Sequence, residues 1–496
     1  TSRTMSAAGQ TSRTTSYAWT AGGRFVQSVT NAEGYRTSYA WDAVRATRTS
    51  QTDPNMLVTQ WTYDDFGRPL RETRPDGTRT EVTRSYCGTA CLSSSAVHTE
   101  AVTDQTTGGT AIGSTVTAFD MLDRAIYSTA DQPGGAVTRQ RVFANTGRVA
   151  RLSMPAACCT SPTYWTTYSY DLLGRPVRME RPASGADPTP VAVHWVYSGL
   201  GVTRTDALGR ATSSRLDVRG NVLQAVDAGG ADMDYEYDPN GNLLRVVDIR
   251  GNETAMTYGA RGARTSLRDV DAGLRTWQYT PFGEVRSETN ARGQTISYTY
   301  DRLSRPLTRQ EPEGTTTWTW GRSWGARNVG SLYSVSSPGW QATYTYDSVG
   351  RPSAETVSAY GSSFVTRLSY DPATGLVDTF TYPTAAGSTP LRVRHQYDRG
   401  RLVRLTDADE PTTTFWQLDA VDARGTVAAE TLGNGIRVAS ASDPVTGLLT
   451  SRIAGPGGGS SHQNLRYTWD TTGNLAAREE ANLGVSETFG YDTMDR

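Results

Sequence analysis

Few residues of this chain have a type and spacing that could do chemistry, and the aspartates come first. Asp371-Pro372-Ala373-Thr374-Gly375-Leu376 and Asp443-Pro444-Val445-Thr446-Gly447-Leu448 each place a carboxylate beside an Asp-Pro bond. Self-cleavage there would need a carboxylate held against the scissile peptide and a partner acid of raised pKa. Asp-Pro and Gly are also ordinary turn residues, and a turn is the plainer reading of both segments. The cysteines are Cys87, Cys91, Cys158 and Cys159. They could form disulfides, stay as buried free thiols or bind zinc through four thiolates. Cys87-x3-Cys91 suits a small closed loop, whereas the neighbours Cys158 and Cys159 make a poor chelating pair. His98, His194, His395 and His462 are scattered without metal-ligand spacing. The tract Gly455-Pro456-Gly457-Gly458-Gly459-Ser460 lacks the Lys-Ser/Thr of a phosphate loop and reads as a linker. No G-x-S-x-G elbow is present. No catalytic, cofactor or metal site is predicted, and the chain is not expected to be an enzyme.

Composition narrows the partners. The 496 residues carry 49 basic side chains, all Arg, against 50 acidic ones, for a net charge of −1. A nucleic-acid or polybasic membrane-surface protein would need a basic excess. No run of 18 apolar residues marks a membrane-spanning helix. Tyr 25 and Trp 12 outnumber Phe 9, a balance that suits half-buried walls with polar-tipped aromatics. The first residue is Thr1 and the last, Arg496, falls inside a repeat, so the chain reads as a fragment of a longer protein.

The repeat is the strongest signal. Tyr237, Tyr258, Tyr279 and Tyr300 are spaced by 21 residues, and Trp19, Trp41 and Tyr63 by 22. Such a period implies on the order of twenty small units stacked on one another. The unit reads as a turn: Tyr237, Asp238 and Gly241 stand in Tyr-Asp-Pro-Asn-Gly-Asn. Asp, Pro, Asn and Gly are the type I turn preferences, and Gly in the left-handed region adds the bulge that closes a hairpin. The same positions recur as Tyr63, Asp64, Gly67; Tyr170, Asp171, Gly174; Tyr346, Asp347, Gly350; and Trp469, Asp470, Gly473. Asp123 and Ser304 replace the Gly in two copies. A second turn, such as Asp248-Ile249-Arg250-Gly251, falls half a period later, leaving strands of six or seven residues. Aromatic-x-aromatic pairs such as Trp318/Trp320 share one strand face, and hydroxyl and Arg residues share the other. The fold expected is all-β, a β-meander of short antiparallel hairpins over 1–496. Two stretches break the rhythm and read as loops or insertions: 84–115, with the first cysteine pair, and the irregular 375–465. No domain boundary is expected between them.

The Tyr-Asp-x-x-Gly-Arg/Asn units at this spacing resemble the YD repeats of the Rhs family. That repeat is shared with toxin-complex BC components and the teneurin shell. The resemblance implies a spiralling β-strip that is part of a hollow β-shell enclosing a C-terminal toxin domain. It implies a secreted or cell-surface bacterial location, a polypeptide cargo and secretion-apparatus proteins as partners. The family's cleavage signature, Asp-Pro-x-Gly-Leu, is one residue shorter than the two segments at Asp371 and Asp443. A second reading is a surface adhesion module whose aromatic ladders bind glycans. It requires exposed rings at sites such as Trp318 and Trp320.

Overall fold

The computed structural model describes residues 1–87, 95–158, 160–384 and 388–496. Among them there is no helix, and 43 antiparallel strands belong to one sheet. Nearly every strand pairs with the next in sequence. Val58–Tyr63, for example, pairs with Pro69–Thr73, and Trp340–Tyr346 pairs with Pro352–Ala359. The ladder slips by one residue at the aromatic before each YD turn: between Thr62 and Tyr63, Ser169 and Tyr170, Thr345 and Tyr346, and Thr468 and Trp469. That slip is the bulge expected beside a left-handed turn residue.

The period-2 faces are present. In Val58–Tyr63 the side carrying Thr59, Trp61 and Tyr63 is half-buried, and the side carrying Val58, Gln60 and Thr62 is exposed. Among the described residues 14 apolar side chains are buried, yet the largest that are completely buried are only Thr138 and Thr406. The accessible surface is 28295 Å², against about 18,000 Å² for a filled globule of this mass. Stability therefore rests on contacts between neighbouring strands rather than on one packed centre.

The two stretches that break the repeat still carry strands. Arg79–Tyr86, His98–Gln105 and Ala111–Phe119 run through the first, and Arg401–Asp407, Thr414–Val421 and Val427–Leu432 lie in the second. The strands there run six to nine residues, and a hairpin loop can grow at little entropic cost while the ladder continues.

The sequence marks no boundary, yet the chain divides into two compact units, each discontinuous in sequence. The first joins Thr1–Glu81, Gln105–Thr110 and Tyr235–Arg392. Inside it, Glu33 accepts from the backbone N–H and Nε of Arg302, at 3.1 Å each. Asn55 accepts from Val329 N at 2.8 Å and donates to Val329 O at 3.2 Å. The second joins Val82–Asp104, Ala111–Asp234 and Val393–Arg496. Inside it, Gln132 donates to Asp422 O at 3.1 Å, and Asp443 accepts from Gly185 N at 2.6 Å. Within each unit, turns of an early stretch thus lock onto turns some 258 to 290 residues later.

Candidate functional site: the Tyr-Asp-x-x-Gly-Arg turn

The recurring site is the turn itself. A reverse turn leaves its inner N–H groups without strand partners, and the Asp side chain supplies the acceptor. Asp64 Oδ1 accepts from Phe66 N and Arg68 N, both at 2.9 Å, and Oδ2 accepts from Arg68 Nε at 2.7 Å. Asp171 pairs with Arg175 N at 2.9 Å and Arg175 Nε at 2.7 Å. Asp347 holds Val349 N at 3.0 Å, Arg351 N at 2.9 Å and Arg351 Nε at 2.8 Å. Where Asn replaces Arg, its side-chain amide takes over: Asn242 Nδ2 reaches Asp238 at 2.8 Å, and Asn474 Nδ2 reaches Asp470 at 3.1 Å.

Burial opposes ionisation of Asp64, Asp171 and Asp470, but their N–H, hydroxyl and guanidinium donors outweigh it and hold all three below the usual carboxylate range. At Asp238 the Asn242 amide is the largest pull in the same direction.

The Gly position requires a left-handed residue, with φ of 79° at Gly67, 88° at Gly241, 83° at Gly350 and 99° at Gly473. Gly174, at φ 80°, also has no room for a side chain, because the Arg148 guanidinium occupies the place of its missing Cβ. Asp123 and Ser304 adopt the same geometry, at φ 60° and 62°, without Gly.

The aromatic that opens the motif reaches back across the strip. Tyr63 donates its hydroxyl to Arg48 O at 2.7 Å, Tyr170 to Val149 O at 2.8 Å and Tyr346 to Leu332 O at 2.6 Å. Trp469 does the same through Nε1 to Leu449 O at 2.7 Å. Burial pushes the Tyr63 and Tyr346 phenols up, so they stay protonated donors.

Sequence reasoning missed the residue that reaches forward, the Arg after the left-handed turn residue, here Gly350, Ser304 and Gly400. Arg351 donates to Gly375 O at 3.2 Å and lies 4.0 Å over the Tyr370 ring. Arg305 donates to Gly330 O at 3.1 Å and lies 4.6 Å over Trp320. Arg401 donates to Gly425 O at 2.6 Å. The turns at Asp347 and Asp301 are therefore fastened backward by Tyr346 and Tyr300, whose hydroxyls reach Leu332 O and Val285 O, and forward by their Arg. The planar fork that pairs a carboxylate, donates onward and stacks on a ring is specific to Arg. The recurring Gly-Arg dipeptide was the available signal.

The other candidates have structural partners. Asp371 Oδ1 caps Ala373 N and Thr374 N, and Asp443 Oδ1 caps Val445 N and Thr446 N. The Thr374 N–H pulls the Asp371 carboxyl below its ordinary value. At Asp443 burial opposes this, and the surrounding N–H donors still hold it down. Neither is an acid of raised pKa. Cys87 and Cys158 are each disulfide-bonded. Cys91 and Cys159 lie outside the described residues. His98 stacks on Phe119 at 4.8 Å and faces Asp123 at 3.2 Å. Among the described residues no group of three or more His, Cys, Asp or Glu could hold a metal ion. Trp318 and Trp320 are half-buried, and Trp320 is tied to Pro306 O at 2.9 Å, so these rings form no open ladder.

The RHS Repeat family model matches residues 47–79, 237–274 and 279–316. No curated protein matches the chain in sequence. Among solved structures, a TcdB2-TccC3 crystal structure superposes with a TM-score of 0.79 at 16% identity, covering 94% of this chain and 29% of that one. TcdB2-TccC3 without its hypervariable C-terminal region gives 0.80 at 15%, covering 97% and 32%. A Tc holotoxin pore of Photorhabdus luminescens gives 0.76 at 14%, covering 94% and 30%. The chain thus spans about a third of the length of the structures it matches, and the likeness is one of fold. The chain thus carries the RHS repeat at three places, on a strip of recurring Tyr-Asp-x-x-Gly turns that has this fold.

Proposed function

We propose that the chain is a wall segment of a hollow RHS-repeat shell that encloses and delivers a polypeptide cargo encoded elsewhere in the same protein. One observation carries this reading: the chain is a single sheet, locked turn to turn within each unit and not filled by a core. A wall needs strength along the strip and across its seams, and the Asp-Arg-aromatic turn supplies the first. Its function is mechanical, to deny the cargo folding space and contact with the producing cell. It takes part in no bond-making step. The disulfides at Cys87 and Cys158 support export to an oxidising compartment.

The gene read through both ends of this segment tests the proposal. The frame is expected to continue past Arg496 into more repeats, an Asp-Pro-x-Gly-Leu core and a short unrelated domain. A frame ending in a wall anchor or membrane span would replace the shell with a displayed adhesion strip.

A further inference from the structure

The seam inside the first unit shows which turn residue meets a facing edge. Antiparallel strands place successive turns alternately on the two edges of a strip. Where an edge of Thr1–Glu81 meets an edge of Tyr235–Arg392, the contact is made by the second residue past the one that opens each turn. Glu33, two past Asn31, meets Arg302 at 3.1 Å and Arg322 at 3.4 Å. Asn55, two past Asp53, accepts from Val329 N at 2.8 Å. Asp76, two past Arg74, lies 3.6 Å from Arg351.

The opposite edge of stretch 243–320 carries that position four times, unpartnered among the described residues. Its turns open at Asp248, Asp269, Asn290 and Glu311, each 21 residues after the last. Two residues past them stand Arg250, Asp271, Arg292 and Glu313, all exposed and none in an ion pair. The openers are bound locally: Asp248 to Arg250 N at 2.9 Å, Asp269 to Asp271 N at 2.9 Å, Asn290 to Arg292 N at 3.0 Å and Glu311 to Arg309 at 2.6 Å. Of the other nearby charges, Arg268 and Arg275 stand in strands on opposite faces of the strip, and Glu253 is taken by Arg245 at 2.8 Å. Neighbouring turns touch, since Ala291 Cβ lies 2.7 Å from the place of the missing Gly273 Cβ. Ile249 and Val270, beside the first two charges, are each 60% exposed.

The row reads plus, minus, plus, minus at about 10 Å per step, two strand spacings. Reversed, it reads minus, plus, minus, plus, so this edge is its own complement. We infer that it binds the same edge of a second copy of this chain, about a two-fold axis between the turns at Asp271 and Arg292. Arg250 then faces the partner's Glu313, and Asp271 faces the partner's Arg292, with each pair formed twice. The second copy is the occupant because the charge order calls for its own reverse. Ile249 and Val270 add apolar area beside the pairs. The contact is isologous and closes on itself, so it builds a dimer and nothing larger. It stands whether or not a cargo is enclosed.

Sedimentation velocity of the full chain tests this. A weak dimer is expected over ~10–100 µM in ~20 mM salt, because exposed ion pairs each contribute little. Raising the salt to ~300 mM should weaken it about tenfold, since exposed pairs are screened. Arg292→Glu and Asp271→Arg each turn two attractions into repulsions, and each variant alone is expected to be monomeric. Both changes sit at exposed tips, and unchanged circular dichroism confirms that each variant folds. An equimolar mixture of the two is expected to dimerise, because Asp271 of one then faces Arg292 of the other and the two substituted residues face each other with opposite charge. The double variant, Asp271→Arg with Arg292→Glu, is expected to dimerise for the same reason. A wild-type chain that is monomeric to ~200 µM in low salt overturns the inference and leaves the edge to a different strip. So does a dimer indifferent to salt or to the single changes, a species larger than a dimer, or a mixture and a double variant that stay monomeric.

Discussion

Removing one turn carboxylate should loosen the strip locally, and Asp347 is the place to show it. Its Oδ1 accepts two backbone N–H groups, and its Oδ2 holds Arg351 at 2.8 Å. The two side chains are 21% and 27% exposed, so the ion pair is only partly screened. Asp347→Ala leaves two N–H groups without their acceptor, at about 1 kcal/mol each. Loss of the ion pair adds about 0.5 kcal/mol. The sum, about 2.5 kcal/mol, corresponds to roughly 70-fold in local opening. Asp347→Asn keeps an acceptor for the N–H groups and loses mainly the ion pair, so about twofold is expected. Hydrogen exchange is the suitable assay, because a strip held by neighbour contacts opens locally. Amides of Trp340–Tyr346 and Pro352–Ala359 should exchange faster in Asp347→Ala. Those of Ser362–Tyr370 should follow, because Arg351 also holds Gly375 O and covers Tyr370. Glu253–Tyr258 should be unchanged. Equal effects of Ala and Asn, or equal loosening at Glu253–Tyr258, would refute the reasoning.

Asp123→Gly should stabilise the second unit by about 1 kcal/mol, because Asp123 sits at φ 60° where Gly carries no steric cost; thermal melts check this. Gly174→Ala should destabilise by about 2 kcal/mol, from left-handed strain and displacement of Arg148, which donates to Gly174 O at 2.9 Å. Its urea midpoint should fall accordingly. Tm against pH should show a plateau with two limbs. Asp371, Asp443 and Asp470 have folded pKa values below their ordinary 3.8. Their contribution is present above about pH 4 and is lost as pH falls through the folded values. The Tyr63, Tyr346 and Tyr370 phenols are raised above 10.0 by burial. Their contribution is present below about pH 10 and is lost as pH rises through the folded values.

The local half of this structure was legible in the sequence. Tyr, Asp and Gly at fixed spacing mark the turn because each answers a need of that turn: a back-reaching donor, an acceptor for inner N–H groups and a left-handed residue. The partners of those groups were not legible. Tyr63 reaches a carbonyl 15 residues back, and Tyr170 one 21 back, because the intervening connections differ in length. The Arg looked like a solvated residue on the polar face, and only the twisted ladder brings it over the next aromatic. The seams were invisible for a stronger reason. Gly185 and Asp443 meet across 258 residues, and nothing local to either encodes that distance. The division into two discontinuous units follows from those seams, so it too escaped a linear reading.

The most direct test of the shell reading is protease protection in the intact parent protein. The full reading frame would be purified and challenged with a broad-specificity protease, beside its downstream domain expressed alone. The account predicts that the enclosed domain survives conditions that digest the free one. It further predicts that protection fails when the seam is opened by Asp443→Ala with Gly185→Ala, the second change placing a Cβ where Pro444 now sits. A downstream domain cut equally fast in both settings would contradict it.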